Sequence, residues 1–292
     1  MRGAGARPLA LATLAVAAGA AFLWSVGALP GMATRNVAAF GIGLAFGWAS
    51  HRLSFRRHGA AVLFSIGTAI LALVLIVGIE MDGVRRWLEV GPVVVQPALI
   101  LSPLLLAIVA SREGRHWRVA ILLPILLLSL QPDAASMFAL AAGVAALMAD
   151  ASGLSPRGWT GRRLTITAAA LGLAVTAIAF SGIQTPPPVA FVEGTVGLAA
   201  LSGPFAGMLH FAAIALMIAA LLSRVDSAGL ALAAYFTVAT LAAVFWAFPM
   251  PVAGAGPSHV IGFGIAAGWL ATHHHRQGRG EDGQDRRGVL PA

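Results

Sequence analysis

The chain has 292 residues, of which 59% are hydrophobic and only 10% are charged. Soluble globular domains carry about 25% charged residues, so this composition leaves too little polar surface for a fold that faces water. Because the chain contains no cysteine, disulfides, thiolate catalysis and cysteine-ligated metal sites are excluded. We therefore expect an all-α integral membrane protein, since helices satisfy their own backbone hydrogen bonds inside a bilayer.

Long apolar runs alternate with short arginine-bearing loops along the chain. A membrane-spanning helix needs roughly 20 apolar residues, within a range of about 17–25. The pattern predicts about ten spans, at 8–29, 36–51, 59–79, 95–111, 118–130, 134–149, 164–182, 196–222, 228–247 and 257–272. The fifth and sixth spans are short, and only Gln131-Pro132-Asp133 separates them, so we expect a helical hairpin there.

The arginines test this topology, because loops on the cytoplasmic side carry an excess of positive residues. With the N-terminus inside, the outer side holds Arg35, Arg85 and Arg86, which leaves 16 of the 19 basic residues on the cytoplasmic side. This asymmetry favours ten spans with both ends in the cytoplasm. The formal net charge of +8 is then a topology signal, and we expect no nucleic acid partner.

The two ends of the chain have simpler interpretations. Arg2 and Arg7 precede the first apolar run, which resembles a signal peptide, but the run is longer than the usual apolar core of 7–15 residues, which favours a retained span. We expect residues 1–275 to form one polytopic membrane domain. Residues 276–292 are polar and glycine-rich, which predicts a disordered cytoplasmic tail.

The predicted outer loop at 80–97, EMDGVRRWLEVGPVVVQP, is the most informative stretch. Arg85, Arg86 and Trp87 would lie at the level of an anionic head group, and a guanidinium can bind phosphate oxygens with two parallel hydrogen bonds. The alternative is interfacial anchoring by the tryptophan beside solvated arginines.

This loop resembles the SEDS family of cell-wall polymerases, which includes FtsW, RodA and SpoVE and carries a stretch similar to G-x-x-R-W-[IL]-x-x-G-x-x-x-x-Q-P-S-E. The matching positions are Gly83, Arg86, Trp87, Leu88, Gly91, Gln96 and Pro97. Further resemblances follow in family order, at Thr34-Arg35-Asn36, Ile42-Gly43, Gln131-Pro132-Asp133 and Pro249-Met250-Pro251 with Gly256 and Ser258. The family also has ten spans, so the resemblance implies a SEDS-like helical bundle.

The resemblance implies that the chain polymerises lipid II, an undecaprenyl-pyrophosphate-linked precursor, at the outer face of a bacterial plasma membrane during division or elongation. A class B penicillin-binding protein or other membrane proteins of the division or elongation machinery would be the partners. We expect no cofactor and no protein metal site, although a divalent cation could accompany the pyrophosphate. The implied substrate-binding residues are Arg35, Arg86, Trp87, Gln96, Gln131, Ser258 and His259.

The sequence departs from the family at its chemistry. Ala190 stands where the family has a catalytic aspartate, and Ala98-Leu99 replaces Ser-Glu. Glu193 or Asp133 would then have to serve as the general base. The competing hypothesis is a catalytically inactive homologue that binds the lipid-linked precursor or partners and regulates wall assembly. A small-solute transporter is a third hypothesis, but we find no pair of interrupted helices that would line a solute site.

Several of these residues also have a purely structural interpretation. Glu193 could cap the following helix, where the helix dipole favours an anion. Asp133 could be an N-cap, or it could pair with Arg86 or Arg35. His210 lies in a span and is either functional or a neutral imidazole bonded to a neighbouring helix. The four-residue spacing of Gly43 and Gly47 favours close helix packing.

Overall fold

The computed structural model describes residues 5–273 apart from 82, 92, 113–114, 132, 151–187, 225 and 247. The helices in chain order are α1 (Ala6–Ser25), α2 (Pro30–Ser54), α3 (Gly59–Val77), α4 (Pro97–Ala110), α5 (Arg115–Ala120), α6 (Leu122–Leu130), α7 (Ala134–Asp150), α8 (Thr195–Leu201), α9 (Pro204–Leu222), α10 (Ser227–Phe245) and α11 (Pro257–His273). The predicted helical membrane bundle is confirmed, whereas the count of ten spans and the orientation remain predictions.

In the described part of the chain, four helices are long and apolar enough to cross a membrane: α1, α3, α9 and α10. Shorter apolar helices cover Pro97–Ala110, His116–Leu130 and Ala134–Ala149. The α2 helix is longer, at 25 residues, and carries Arg35 near its start and Arg52 near its end. The predicted span at 164–182 and the tail at 276–292 lie outside the described residues.

The predicted span at 196–222 is wrong in detail, because it forms two helices. The short α8 ends at Leu201, and α9 begins at Pro204. Gly203 between them has φ of +89°, a left-handed conformation that glycine adopts without steric cost. Proline at the first helical position lacks the N–H that a continuing helix would need. The chain therefore turns here although its hydropathy is continuous.

The predicted outer loop contains a small antiparallel sheet that the sequence analysis did not anticipate. Its strands are β1 (Ile79–Met81), β2 (Val84–Val90) and β3 (Val93–Val95), in the order β1-β2-β3. Trp87 pairs with Ile79, and Leu88 pairs with Val95. The turns between the strands contain Gly83 and Gly91, both with positive φ. The sheet lies between the end of α3 and the start of α4.

A seam of glycines joins α2 and α11. A Cβ atom on Gly43 or Gly47 would overlap the carbonyl oxygen of Ile261 or Ile265, respectively, and one on Gly264 would lie 2.6 Å from the carbonyl oxygen of Phe40. The two backbones can approach this closely only because neither side presents a Cβ atom. The predicted packing role of Gly43 and Gly47 is confirmed.

Candidate functional site

Arg86 is a buried cation on the central strand β2. Side chains alternate along a strand, and Val84 and Arg86 are buried on one face while Arg85 on the other is half-buried. Arg86 is only 3% exposed, and its guanidinium carbon lies 4.5 Å from the ring centroid of Trp87 and 5.3 Å from that of Phe248. Both distances are in the range of a cation–π contact.

No described residue forms a hydrogen bond or an ion pair with Arg86, and its Nε is buried without a partner. The neighbouring Arg85 differs, because its guanidinium donates to a Glu80 carboxylate oxygen at 2.9 Å and to the Leu75 carbonyl at 3.3 Å. A buried charge is costly unless an anion compensates it. Arg86 is therefore the arginine of this sheet that is suited to an external anion.

Glu193 lies in a turn at 189–194 that faces the same region. Its Oε2 accepts a hydrogen bond from the backbone N–H of Val189 at 2.9 Å. The carboxylate does not cap α8, because Gly194 occupies the N-cap position without any side-chain hydrogen bond. Burial raises the pKa of the Glu193 carboxyl, while the N–H of Val189, its own N–H and the charge of Arg86 oppose that rise. Arg86 and Glu193 thus influence each other electrostatically.

The turn at 189–194 is attached to a second loop at 248–256. The N–H of Met250 donates to the carbonyl of Val192 at 3.1 Å, and the N–H of Ala255 donates to that of Phe191 at 2.6 Å. The second loop is held in turn by Asn36 of α2, whose side-chain amide donates to the carbonyl of Gly254 at 2.7 Å. These bonds place Phe248 and Glu193 on one connected loop pair.

Gln96, Asp133 and Ser258 form a buried hydrogen-bonded group. The amide nitrogen of the Gln96 side chain donates to Asp133 Oδ2 at 2.8 Å, and the backbone N–H of Gln96 donates to Ser258 Oγ at 3.0 Å. The other oxygen of Asp133 accepts from the N–H of Ser136 at 3.2 Å, which is an N-cap contact at the start of α7. The hypothesis of an ion pair from Asp133 to Arg86 or Arg35 is wrong for the described residues.

His259 is buried next to this group, at 2% exposure. It lines a cavity of about 10 Å³ together with Gln96, Ser136 and Tyr235. Its ring nitrogens make no hydrogen bond of normal geometry with the described residues, although the carbonyl of Pro249 approaches the ring. A cavity of this size holds at most about one water molecule, so it is not a substrate pocket.

Two predicted binding residues lie apart from Arg86. Arg35 is exposed, and its Nε donates to the carbonyl of Gly31 in its own helix at 3.1 Å. Gln131 is fully buried and donates from its side chain to the carbonyl of Leu71 in α3. No contact in the described structure joins either residue to Arg86. Their predicted roles in substrate binding remain predictions.

Two residues that matter to the site were not predicted. Phe248 follows α10 as one apolar residue among many, and nothing local marks it. Asn36 carried a signal, since a lone amide in an apolar helix needs a partner. His210 makes the contact that its structural interpretation predicts, since its Nε2 lies 3.2 Å from the hydroxyl of Thr195 at the start of α8. In the described part of the chain, no three histidine or acidic side chains are grouped as metal ligands.

Comparison with known proteins gives a consistent picture. A family model that carries the names FtsW, RodA and SpoVE, described as "Cell cycle protein", matches residues 9–186. One curated relative, a probable peptidoglycan glycosyltransferase FtsW from Aromatoleum aromaticum, is 36% identical over 72 residues. That alignment covers 23% of this chain and 18% of the relative, so the chain matches less than a fifth of that relative's length.

Two solved structures share the fold. The rod shape determining protein RodA of Thermus thermophilus has a TM-score of 0.60 at 23% identity, covering 91% of this chain and 95% of RodA. A chain from a study of polymerization and crosslinking by a peptidoglycan synthase complex has a TM-score of 0.61 at 22% identity, covering 90% of this chain and 96% of that one. At these identities the likeness concerns the fold.

Proposed function

The chain belongs to the family of FtsW, RodA and SpoVE cell cycle proteins, and from that premise we propose that it binds a polyprenyl-pyrophosphate-linked sugar and serves peptidoglycan synthesis. The observation that carries the proposal is Arg86, a buried guanidinium within cation–π distance of two aromatic rings that has no hydrogen-bond or ion-pair partner among the described residues. Pyrophosphate is an anion that a guanidinium binds with two parallel hydrogen bonds. The site of action would be the outer face of a bacterial plasma membrane.

The activity that we propose is glycosyl transfer, with lipid II as the substrate. The hydroxyl of an acceptor sugar would attack the anomeric carbon of a donor, forming a C–O bond while the bond to pyrophosphate breaks. Glu193 is the candidate to take the hydroxyl proton, and Arg86 would stabilise the negative charge of the departing pyrophosphate. Burial supports this role for Glu193, because a raised pKa gives a carboxylate more basic strength.

The alternative is a catalytically inactive homologue that binds the lipid-linked precursor or partners and regulates wall assembly. One observation favours it: Ala190 is exposed at the position where the resemblance expects an aspartate. Glu193 is also engaged already with the N–H of Val189. In this alternative Arg86 keeps its role in binding, and only the chemical step is missing.

We also propose a partner of the class B penicillin-binding type. The support is the family resemblance together with the fold shared with a chain of a peptidoglycan synthase complex. Co-purification from cells that express the tagged full chain would test this proposal. Recovery of a transpeptidase would support it, and recovery of none under conditions that preserve a related complex would contradict it.

The experiment on function uses purified full chain, with and without that partner, and labelled lipid II. An active enzyme makes glycan strands, and Glu193→Gln lowers the rate by about 10²–10⁴, the usual contribution of a general base. Glu89→Gln, an exposed carboxylate of β2, serves as the matched control and should leave the rate unchanged. Binding of lipid II without any polymer, in the natural chain and in Glu193→Gln, would favour the inactive homologue.

If the natural chain is inactive, Ala190→Asp tests whether only the family carboxylate is missing. Polymer formation by Ala190→Asp alone would establish the scaffold as an intact enzyme that lacks its base. Failure of the chain to bind either lipid II or a partner would contradict both versions of the proposed function.

A further inference from the structure

An apolar groove runs between α7 and α10, at the end of the bundle that holds Arg86. Its volume is about 280 Å³. This is close to the lower end of the range for small-molecule sites, about 300–1,000 Å³. The residues that shape it include Ala134, Phe138, Ala242, Phe245, Trp246 and Phe248.

The groove forms because its floor is lined mainly by small side chains, whereas large aromatic side chains stand at its opening. Ala134, Ala135 and Ala242 are buried and form its floor together with Phe248. Toward the outside, Phe245 is 69% exposed and Trp246 is 48% exposed. An opening with exposed aromatic side chains on an apolar helix faces lipid rather than water, so a hydrocarbon chain can enter from the bilayer.

A positive charge lies at one end of this groove. The ring of Phe248 lines the groove, and the guanidinium carbon of Arg86 lies 5.3 Å from the centroid of the same ring. One side chain therefore separates an apolar channel from a buried cation that has no partner among the described residues. The matching ligand is an amphiphile with an anionic head and a hydrocarbon tail.

We propose that the groove between α7 and α10 holds the head-proximal part of the polyprenyl chain of the lipid-linked substrate, while Arg86 binds its pyrophosphate. This inference rests on the proposed function, because it assigns the tail of the same ligand. A transmembrane helix of a partner would also be apolar, but it would bring no anionic head group to Arg86, whose Nε is buried without a hydrogen-bond partner. The charge at the end of the groove is what favours a lipid with an anionic head.

The test compares two ligands with the same head group. Undecaprenyl pyrophosphate has a long chain, whereas isopentenyl pyrophosphate has a single isoprene unit. Binding of each to the full chain in detergent is measured by native mass spectrometry. Ala242→Phe fills the groove, and Ala215→Phe, at an exposed position of α9, is the matched control.

We expect Ala242→Phe to weaken binding of undecaprenyl pyrophosphate by about tenfold or more, which corresponds to about 1.4 kcal/mol, and to leave isopentenyl pyrophosphate unchanged. Ala215→Phe should change neither. Because Ala242→Phe could prevent folding, Phe245→Ala provides a second variant that removes an exposed wall of the groove. It should weaken only the long-chain ligand, and Phe205→Ala, also exposed on α9, is its control.

Three outcomes would overturn the inference. In the first, folded Ala242→Phe and Phe245→Ala both bind undecaprenyl pyrophosphate as the natural chain does. In the second, the control variants lose as much affinity as the groove variants. In the third, phosphatidylglycerol displaces undecaprenyl pyrophosphate at equal concentration, which would make the groove a general phospholipid site.

Failure of the inference and failure of the proposed function are distinguishable, because binding is measured without turnover. Groove-dependent binding of undecaprenyl pyrophosphate in a chain that never polymerises lipid II supports the groove and contradicts the enzyme. Polymerisation of lipid II that is insensitive to the groove variants supports the enzyme and contradicts the proposed role of the groove.

Discussion

Gln96 and Asp133 lie 37 positions apart in sequence, and their side chains meet in a hydrogen bond of 2.8 Å. The contact joins the start of α4 to the start of α7 in a fully buried environment. Asp133 also accepts from the N–H of Ser136, so a single carboxylate serves both as a helix cap and as a bond between helices. These two bonds give Asp133 a structural role, and its predicted role as a general base remains a prediction.

Replacing Asp133 by alanine should therefore destabilise the protein. The loss of a helix cap costs about 0.5–2 kcal/mol, and a buried donor left without a partner costs about 1–3 kcal/mol more. We expect a lower temperature of unfolding in detergent for Asp133→Ala. Asp133→Asn retains an acceptor for the N–H of Ser136 and should lose less. Equal unfolding temperatures for the natural chain and Asp133→Ala would contradict the assigned contacts.

The seam between α2 and α11 predicts a position-specific response to added methyl groups. Gly47→Ala places a Cβ atom against the carbonyl oxygen of Ile265, whereas Gly41→Ala, on the same helix, meets nothing within 4 Å. Overpacking usually costs about 1–3 kcal/mol. We expect a lower unfolding temperature for Gly47→Ala and an unchanged unfolding temperature for Gly41→Ala. A similar loss in both variants would show that the seam does not set the packing.

Arg86 should favour binding at the expense of stability. Replacing it by methionine removes a buried charge that has no hydrogen-bond or ion-pair partner in the described structure, so the unfolding temperature without ligand should stay the same or rise. Binding of undecaprenyl pyrophosphate should fall by at least tenfold. Arg85→Met removes a half-exposed arginine that pairs with Glu80 and is the control for charge alone. A large loss of stability in Arg86→Met would indicate a structural rather than a binding role.

The pKa of Glu193 predicts a pH dependence with a definite sign. Burial raises this pKa above 4.5, so the folded chain holds the proton to higher pH than the unfolded chain. The contribution of Glu193 to stability is therefore largest below about pH 4.5 and falls as the pH rises through the folded-state pKa. Glu193→Gln should remove this decline and be the more stable form at neutral pH.

Unfolding temperatures between pH 4 and 8 would measure the effect in the natural chain, in Glu193→Gln and in Glu89→Gln. The natural chain and Glu89→Gln should show the decline in unfolding temperature that Glu193 causes, and Glu193→Gln should not. If Glu193 is also the general base, the rate of polymerisation should rise with pH over the interval in which stability falls. A decline that persists in Glu193→Gln would assign it to another group.

The helices were predictable from the sequence because hydropathy over about 20 residues decides whether a segment prefers lipid. The seam at Gly43 and Gly47 was predictable for a similar reason, since the spacing places both on one helix face. The sheet was missed although its signals were present, with glycines at two turns and a run of valines at 93–95. Hydropathy alone does not distinguish such a strand from a membrane-proximal loop.

The break at Gly203-Pro204 was missed for the same reason, because the apolar run continues across it. The site was predictable in part: Arg86 and Trp87 came from the loop motif, and Glu193 from the search for a carboxylate. The contact of Arg86 with Phe248 depends on residues far apart in sequence. No local sequence pattern indicates which of many phenylalanines will contact one arginine. The groove beside Phe248 could therefore be found only in the structure.

The amide of Asn36 and the glycines of α2 give this helix two tasks at once. One side of it packs closely against α11 at the glycines, and Asn36 near its start donates a hydrogen bond to the loop that carries Phe248. A random screen for lost activity would therefore return Gly43, Gly47 and Asn36 beside Arg86. None of those three touches the guanidinium: Asn36 binds the loop that carries Phe248, and the two glycines form the close contact between α2 and α11.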